Sequence, residues 1–196
     1  MTKKSNASDI AILSIMIALM IVIQLFSQII YALWPIPIQP VLIHVPVIIG
    51  SILLGWRKGA FLGFIMGLIL LINATMVGGI TSFMFTPLQQ SPVTHQAYFT
   101  SLIVTFVPRI LMGILPYFVY KITKNKYIGS GVAAFAGTAT NTVLVLGFIL
   151  LFFGELTGTT FGNLITPILL LNSSVEVLVA VILTVAIVPA LEKTRK

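Results

Sequence analysis

The stretch SILLGWRKGAFLGFIMGLIL, residues 51–70, joins two apolar runs through one pair of basic residues, Arg57 and Lys58. About 20 apolar residues are enough to cross a lipid bilayer as a helix, and Lys and Arg collect in the loops on the cytoplasmic side. The stretch therefore predicts two membrane helices that are joined on the cytoplasmic side.

The composition of the whole chain indicates the same class of protein. Of 196 residues, 58% are hydrophobic and 8% are charged, whereas a soluble domain has about 25% charged residues. The net charge is +7, but the basic residues form short clusters between apolar runs, which indicates topology signals rather than a nucleic-acid surface. The chain has no cysteine, which excludes disulfides and thiol chemistry.

The apolar runs predict an all-α integral membrane protein, a single domain over residues 1–196 with six transmembrane helices. The expected helices cover about residues 8–32, 38–55, 58–76, 99–122, 128–153 and 163–190. Pro46 interrupts helix 2, so we expect that helix to be short, kinked and surrounded by protein. The other flanking basic residues are Lys3, Lys4, Lys121, Lys124, Lys126, Lys193, Arg195 and Lys196. With six helices all of them fall on one side, which predicts that both termini are cytoplasmic.

The longest loop without charge covers about residues 77–98 and is rich in Thr, Gln, Pro and aromatic residues. Loops of this length in compact domains are commonly lids or binding loops, and the aromatic content argues against disorder. We expect a lid on the outer face, with Phe85 as a candidate substrate contact.

Two series of small residues recur at helical spacing. The first lies in helix 3 and consists of Gly55, Gly59, Gly63 and Gly67. It predicts a smooth ridge against which another helix packs closely. The second lies in helix 1 and consists of Ala7, Ala11, Ser14 and Ala18. This stripe indicates either internal packing or a docking face for a partner membrane protein.

Arg109 lies inside an apolar run, about twelve residues or roughly 18 Å from Lys121, and thus near the middle of the membrane. An arginine at this depth costs about 3 kcal/mol and requires an anionic partner. One candidate is Glu176, which lies deep in helix 6. The other is a ligand carboxylate held by two hydrogen bonds. The two interpretations are compatible.

Further polar residues in the apolar spans are candidates for binding a small polar acid in an apolar-walled site. They are Gln28, Thr140, Asn141 and Asn172. His44 is either a structural hydrogen-bond donor or a ligand contact. A metal site is not expected, because no second histidine lies in a span and His95 is in the loop.

Sequence motifs of enzymes do not occur in the chain. It has no phosphate-binding G-x-x-x-x-G-K-[ST], no G-x-S-x-G and no kinase motifs. An intramembrane enzyme that uses Glu176 and His44 as acid and base remains one alternative. A structural membrane subunit with an Arg109–Glu176 pair and no ligand is another.

The segment HVPVIIGSILLGWRKGAFLGFIMGLI, residues 44–69, and the segment TATNTVLVLG, residues 138–147, resemble the substrate-binding S components of energy-coupling factor (ECF) vitamin transporters. The pantothenate-specific group is the most similar. The resemblance implies capture of a vitamin outside the bacterial plasma membrane. It also implies assembly with a transmembrane coupling subunit, the T component, and with two ATPase subunits that use ATP, while this chain binds no cofactor.

The resemblance also implies that the helix 1 stripe docks on the coupling subunit. The family pattern has alanines four apart, and Ser14 replaces one of them here. Pantothenate has one carboxylate, an amide and two hydroxyls, which suits Arg109 with amide and hydroxyl neighbours, whereas the cation thiamine does not. Biotin, folate and riboflavin remain alternative substrates.

Overall fold

The computed structural model describes residues 4–33, 42–158 and 173–194, and these residues form helices and loops without a strand. The helices are α1 (Lys4–Leu33), α2 (His44–Leu54), α3 (Trp56–Val77), α4 (Ser101–Ile122), α5 (Lys126–Thr157) and α6 (Ser174–Thr194). A short 3-10 helix, Ser82–Met84, lies between α3 and α4. The predicted all-helical class is confirmed. Residues 38–41 and 163–172 of the predicted second and sixth helices lie outside the described residues.

Five of these helices are long and apolar enough to cross a membrane. Their apolar segments are Ala7–Ile30, Trp56–Val77, Ser101–Ile122, Lys126–Thr157 and Ser174–Lys193. The exception in the described part of the chain is α2, with 11 residues. At about 1.5 Å per residue it is roughly 16 Å long, about half of the hydrocarbon thickness.

Helix α2 is surrounded by protein, as the sequence predicted. Nine of its residues, from His44 to Ile52, are buried. Pro46 lies in the first turn, where a backbone N–H has no acceptor within the helix. The helix thus begins two residues before Pro46, which removes the reason for expecting a kink.

The α3 glycines pack against α4, with one correction to the predicted ridge. Gly55 has φ of 95° and separates α2 from α3, a backbone conformation that favours glycine. The other three face α4. A Cβ on Gly59 would meet the carbonyl oxygen of Gly113, and a Cβ on Gly63 would meet that of Arg109. The absence of side chains on α3 therefore brings the α4 backbone at Arg109 directly against it.

One end of the bundle, called the basic end below, is where α2, α4 and α6 end and where α3 and α5 begin. Its lysines are Lys58, Lys121, Lys124, Lys126 and Lys193. Lys58 forms an ion pair with Asp9 of α1, and Lys126 forms one with Glu192 of α6. These contacts hold the start of α1 and the end of α6 at the basic end.

The opposite end, called the cavity end below, is covered by the α3–α4 loop. Phe83 packs edge-on against Phe153 of α5, with ring centroids 5.5 Å apart. The Thr105 hydroxyl donates to the carbonyl oxygen of Phe85 at 2.6 Å, and the side chain of Gln89 donates to the carbonyl oxygen of Thr75 at 3.0 Å. The loop is therefore attached to three helices.

Candidate functional site

A cavity of about 490 Å³ lies at the cavity end between α3, α4, α5, α6 and the α3–α4 loop. Pockets for small organic ligands measure about 300–1,000 Å³. Its polar lining residues are Asn73, Thr81, Ser82, Arg109, Asn141, Thr142, Ser173 and Glu176. Apolar side chains complete the wall, among them Met66, Leu70, Phe85 and Leu146. This composition suits a small ligand that has both polar and apolar parts.

The sequence around Arg109 fixes one edge of its guanidinium. Pro108 has no backbone N–H, so the carbonyl oxygen of Val104, four residues earlier, has no helical donor. Arg109 Nη1 donates to this oxygen at 2.5 Å. The guanidinium carbon also lies 5.7 Å from the centroid of the Phe85 ring, within cation–π range. Pro108 and Phe85 thus both contribute to fixing the position of the Arg109 guanidinium.

A second donor group of Arg109, its Nε–H, makes no hydrogen bond to the described residues. The side chain is 6% exposed, and its Nε atom is buried. A buried donor that lacks a partner costs about 1–3 kcal/mol, and more when the group is charged. An anion in the cavity would lower the cost of burying the guanidinium, which lies at the cavity wall.

Glu176 lies in the first turn of α6, where it is buried and lines the same cavity. It interacts electrostatically with Arg109. A carboxylate in the first turn of a helix is also favoured by the helix dipole. Glu176 therefore balances part of the arginine charge, while both residues stay at the cavity wall.

Asn73 of α3 lines the cavity and was not singled out from the sequence. Its side-chain oxygen accepts a hydrogen bond from the amide nitrogen of Gln28 on α1, so the amide nitrogen of Asn73 remains for another acceptor. Gln28, which the sequence predicted as a substrate contact, is not among the described lining residues and reaches the cavity through Asn73. The sequence signal that could have identified Asn73 is that it is the one amide side chain in the apolar run of helix 3.

On α5 the cavity is lined by Thr142 and not by the predicted Thr140. The Thr140 hydroxyl donates to the carbonyl oxygen of Ala136 at 2.7 Å within the helix. Thr142 lines the cavity instead, next to the predicted Asn141, whose buried side-chain oxygen has no hydrogen-bond partner among the described residues. Residues two apart on a helix point in nearly opposite directions, about 200° apart.

The remaining predicted contacts are His44 and Asn172. His44 is buried at the start of α2 and is not among the described residues that line the cavity. Asn172 lies outside the described residues, and the adjacent Ser173 is buried at the cavity wall.

The small residues of α1 face away from the bundle. Ala7, Ala11, Ser14 and Ala18 are all exposed in the part of the chain that the structure describes. Met16 and Met20, on the opposite face of the helix, are buried against the other helices. The Ser14 hydroxyl donates to the carbonyl oxygen of Ile10 at 3.0 Å. The stripe is thus a smooth surface without an unsatisfied polar group, and it does not pack within the described bundle.

Together these features define a helical membrane protein with a cavity of small-molecule size at one end. The chain belongs to the family of substrate-specific components of ECF transporters, whose family model matches residues 8–188. It is 58% identical over 193 residues to "Pantothenic acid transporter PanT" of Lactococcus lactis subsp. cremoris, with 98% of each chain covered. It is 35% identical over 164 residues to "Pantothenate transporter PanT" of Leuconostoc mesenteroides subsp. mesenteroides, with 76% of this chain and 73% of the relative covered.

These comparisons confirm the predicted family. The protein is a transporter component and not an enzyme, so the intramembrane-enzyme alternative is wrong. It is a multi-pass protein of the cell membrane. Membership of the family implies a membrane coupling component and ATPase subunits as partners.

Proposed function

We propose that this protein captures pantothenate outside the cell for ATP-driven uptake by its partner subunits. The observation that carries the proposal is a buried arginine at the wall of a cavity of about 490 Å³, with one donor that no described residue satisfies. Pantothenate has one carboxylate for that arginine, and an amide and two hydroxyls for neighbouring polar side chains. The two relatives named as pantothenate transporters support this choice of substrate.

Within the cavity we assign the carboxylate of pantothenate to Arg109, which Glu176 and Phe85 hold in position. Asn73 and Asn141 are assigned to the amide and hydroxyl groups of the ligand. The α3–α4 loop serves as the lid. Asn172 remains a predicted contact, whereas the burial of His44 and the hydrogen bond of Thr140 within its own helix favour structural roles for these two residues.

We further infer six membrane crossings with both termini in the cytoplasm. The ion pair between Lys58 and Asp9 supports this count, because it holds the starts of α1 and α3 at the same end. The chain between these two helices, which includes α2, then has to return across the bundle. The lysines support a cytoplasmic position for the basic end, with the cavity end opening outward.

For the complex we propose the T component and two ATPase subunits as partners, with ATP used by those subunits alone. The exposed stripe of small residues on α1 supports docking on the T component, because small side chains let membrane helices approach closely.

Calorimetry on the purified protein in detergent tests which vitamin is the substrate. The ligands are pantothenate, biotin, folate, riboflavin and thiamine. We expect binding of pantothenate alone. Arg109→Gln should weaken it at least 30-fold, since removal of one partner of a buried charged pair costs about 2–5 kcal/mol. Arg57→Gln makes the same charge change at the basic end and should bind like the unchanged protein. Binding of another vitamin instead would overturn the substrate assignment and leave the family unaffected.

Panthenol, in which a primary alcohol replaces the carboxylate, tests the role of Arg109 itself. The unchanged protein should bind panthenol much more weakly than pantothenate, and Arg109→Gln should bind both with similar weak affinity. If Arg109→Gln weakens the two ligands by the same factor, the arginine supports the fold or Glu176 and does not contact the carboxylate.

A further inference from the structure

A second cleft, of about 590 Å³, lies at the basic end between the ends of α2, α4 and α6 and the start of α5. It is separate from the ligand cavity, which lies at the other end of the bundle. Ile52 and Leu53 form its apolar floor, and Lys121, Lys124 and Lys126 line its rim. The cleft therefore combines a hydrophobic base with a concentration of positive charge.

The acidic residues of the chain leave two of these lysines without a counter-charge. The sequence has four acidic residues, and all lie in the described part of the chain. Glu192 accepts a hydrogen bond from the Tyr120 hydroxyl at 2.9 Å and forms an ion pair with Lys126. The other three acidic residues lie elsewhere. Asp9 pairs with Lys58. Glu155 lies in the last turns of α5, and Glu176 lies at the ligand cavity. Lys121 and Lys124 thus have no carboxylate partner among the described side chains.

One of the two lysines is held at the cleft by an aromatic ring. Lys121 Nζ lies 5.8 Å from the centroid of the Tyr117 ring, and Tyr117 itself lines the cleft. In a cation–π contact the negative face of the ring attracts the ammonium group. This contact keeps the ammonium group at the wall while its N–H donors remain available. Lys124 lies three residues further along, in the turn before α5.

Aromatic side chains indicate that the cleft lies at the depth of the lipid headgroups. Trp56 and Tyr127, both at the basic end, are 40% and 54% exposed. Trp56 packs on Phe118 with ring centroids 6.5 Å apart. Trp and Tyr concentrate at membrane–water interfaces, because one part of each ring system is apolar and another part is polar. The positive rim is therefore at the level where lipid phosphates lie.

We propose that this cleft binds the headgroup of an anionic phospholipid. Lys121 and Lys124 would donate to the phosphate, while Ile52 and Leu53 contact the first carbons of the acyl chains. Basic pockets between transmembrane helices bind anionic headgroups in this way. Three lysines against one glutamate leave the cleft positive, so a lipid with a net negative charge is preferred over a zwitterionic lipid that has the same phosphate.

Native mass spectrometry of the full chain, released from detergent with graded amounts of lipid, tests the proposal. The unchanged protein should retain phosphatidylglycerol at much lower concentrations than phosphatidylcholine. The double variant Lys121→Gln and Lys124→Gln should bind phosphatidylglycerol about 30-fold more weakly, because it lacks the attraction of two lysines at the membrane surface for the anionic lipid. The matched control, Arg57→Gln with Lys193→Gln, removes the same charge at the same end outside the cleft and should bind like the unchanged protein.

Two further experiments are needed. One separates the effect of charge from an effect on folding, and the other separates binding of lipid from binding of free phosphate. The variant Lys121→Arg with Lys124→Arg keeps the charge and should keep the preference for phosphatidylglycerol. Free glycerol phosphate should not displace the lipid at matched concentration. Equal retention of the two lipids by the unchanged protein, equal loss in the matched control, or displacement by glycerol phosphate would each overturn the assignment.

Discussion

Asn73 is the residue that connects the cavity to α1. Its side-chain oxygen is occupied by Gln28, and the pair is half-buried between α1 and α3. The hydrogen bond orients the Asn73 amide so that its nitrogen is the free donor. In the proposed complex Asn73 contacts the ligand, and Gln28 is a positioning residue that acts through it.

A double-mutant cycle on Gln28 and Asn73 tests this order of action. Asn73→Ala should weaken pantothenate binding about 2–10-fold, the effect of one neutral hydrogen bond. Gln28→Ala should have a smaller effect in the same direction. The double variant should match Asn73→Ala, because Gln28 has nothing left to position.

Calorimetry measures all variants of this cycle. Gln24→Ala, one turn earlier on α1, is the matched control and should bind normally. Additive losses from Gln28→Ala and Asn73→Ala would show that Gln28 contacts the ligand directly, as the sequence first predicted.

Sequence reasoning singled out Arg109, Asn141, Glu176 and Phe85, and the structure brings these four residues to one cavity. Charged and amide side chains in an apolar span have few other uses, which makes them visible without a structure. Asn73 was missed because it lies near the end of its span, where polar residues are ordinary. The hydrogen bond from Arg109 to the Val104 carbonyl depends on a rotamer, which no sequence pattern specifies.

The packing of α3 on α4 determines where Arg109 lies. Gly63 has no space for a side chain, because a Cβ there would meet the backbone of Arg109 and Ile110. Backbone atoms cannot move aside in the way that the end of a flexible side chain can. The two helices would have to separate, and the cavity wall would move with them.

We therefore expect Gly63→Ala to lower the free energy of unfolding by about 1–3 kcal/mol, the usual cost of overpacking, and to weaken pantothenate binding. Thermal unfolding in detergent and calorimetry measure the two effects. Gly147→Ala on α5 is the matched control, since a Cβ there meets nothing within 4 Å. Equal melting temperatures for the two variants would contradict the close contact.

Helix boundaries were predictable where an apolar run long enough to cross the membrane is flanked by charged residues. They were less predictable elsewhere. The sequence located the long apolar spans because each is bounded by polar or charged residues. It extended the glycine ridge to Gly55, because a spacing of four cannot reveal that the residue has a positive φ. It also treated Pro46 as an interruption, because a proline in the first turn and one in mid-helix look alike until the start of the helix is known.

The exposed stripe of α1 makes a prediction about assembly. Ala11→Trp should abolish co-purification with the T component, because a large ring on the stripe keeps the partner helix at a distance. Leu19→Trp is the control: Leu19 is 43% exposed and lies on the flank of the same helix. Pantothenate binding by the isolated subunit should be unchanged in both variants. Normal co-purification of Ala11→Trp would remove the stripe from the interface.

At the scale of the whole molecule, the two ends of the bundle differ in charge. Among the described residues the lysines lie at the basic end, and the α3–α4 loop at the cavity end contains no Lys, Arg, Asp or Glu. An excess of Lys and Arg on one side orients a membrane protein during insertion, with that side in the cytoplasm. This asymmetry was fully available from the sequence, whereas the cleft between the lysines required the structure.

The absence of cysteine allows a direct test of orientation, because each introduced thiol is the only one in the chain. We expect Gln90→Cys, in the exposed loop, to react with a membrane-impermeant maleimide in intact cells. Ala7→Cys and Lys124→Cys should react only after the membrane is opened. Labelling of Ala7→Cys in intact cells would contradict six crossings with a cytoplasmic amino terminus.

The hydrogen bond between Arg109 and the Val104 carbonyl also affects the entropy of ligand capture. Ordering a long side chain at a binding site costs about 0.5–1.5 kcal/mol. Arg109 is already immobilised by that carbonyl and by the Phe85 ring, so association with a carboxylate avoids most of this cost. A lysine at the same position would bring equal charge on a freely rotating stem. The difference in affinity between Arg109 and Arg109→Lys would therefore reflect how far the empty protein is already arranged for its ligand.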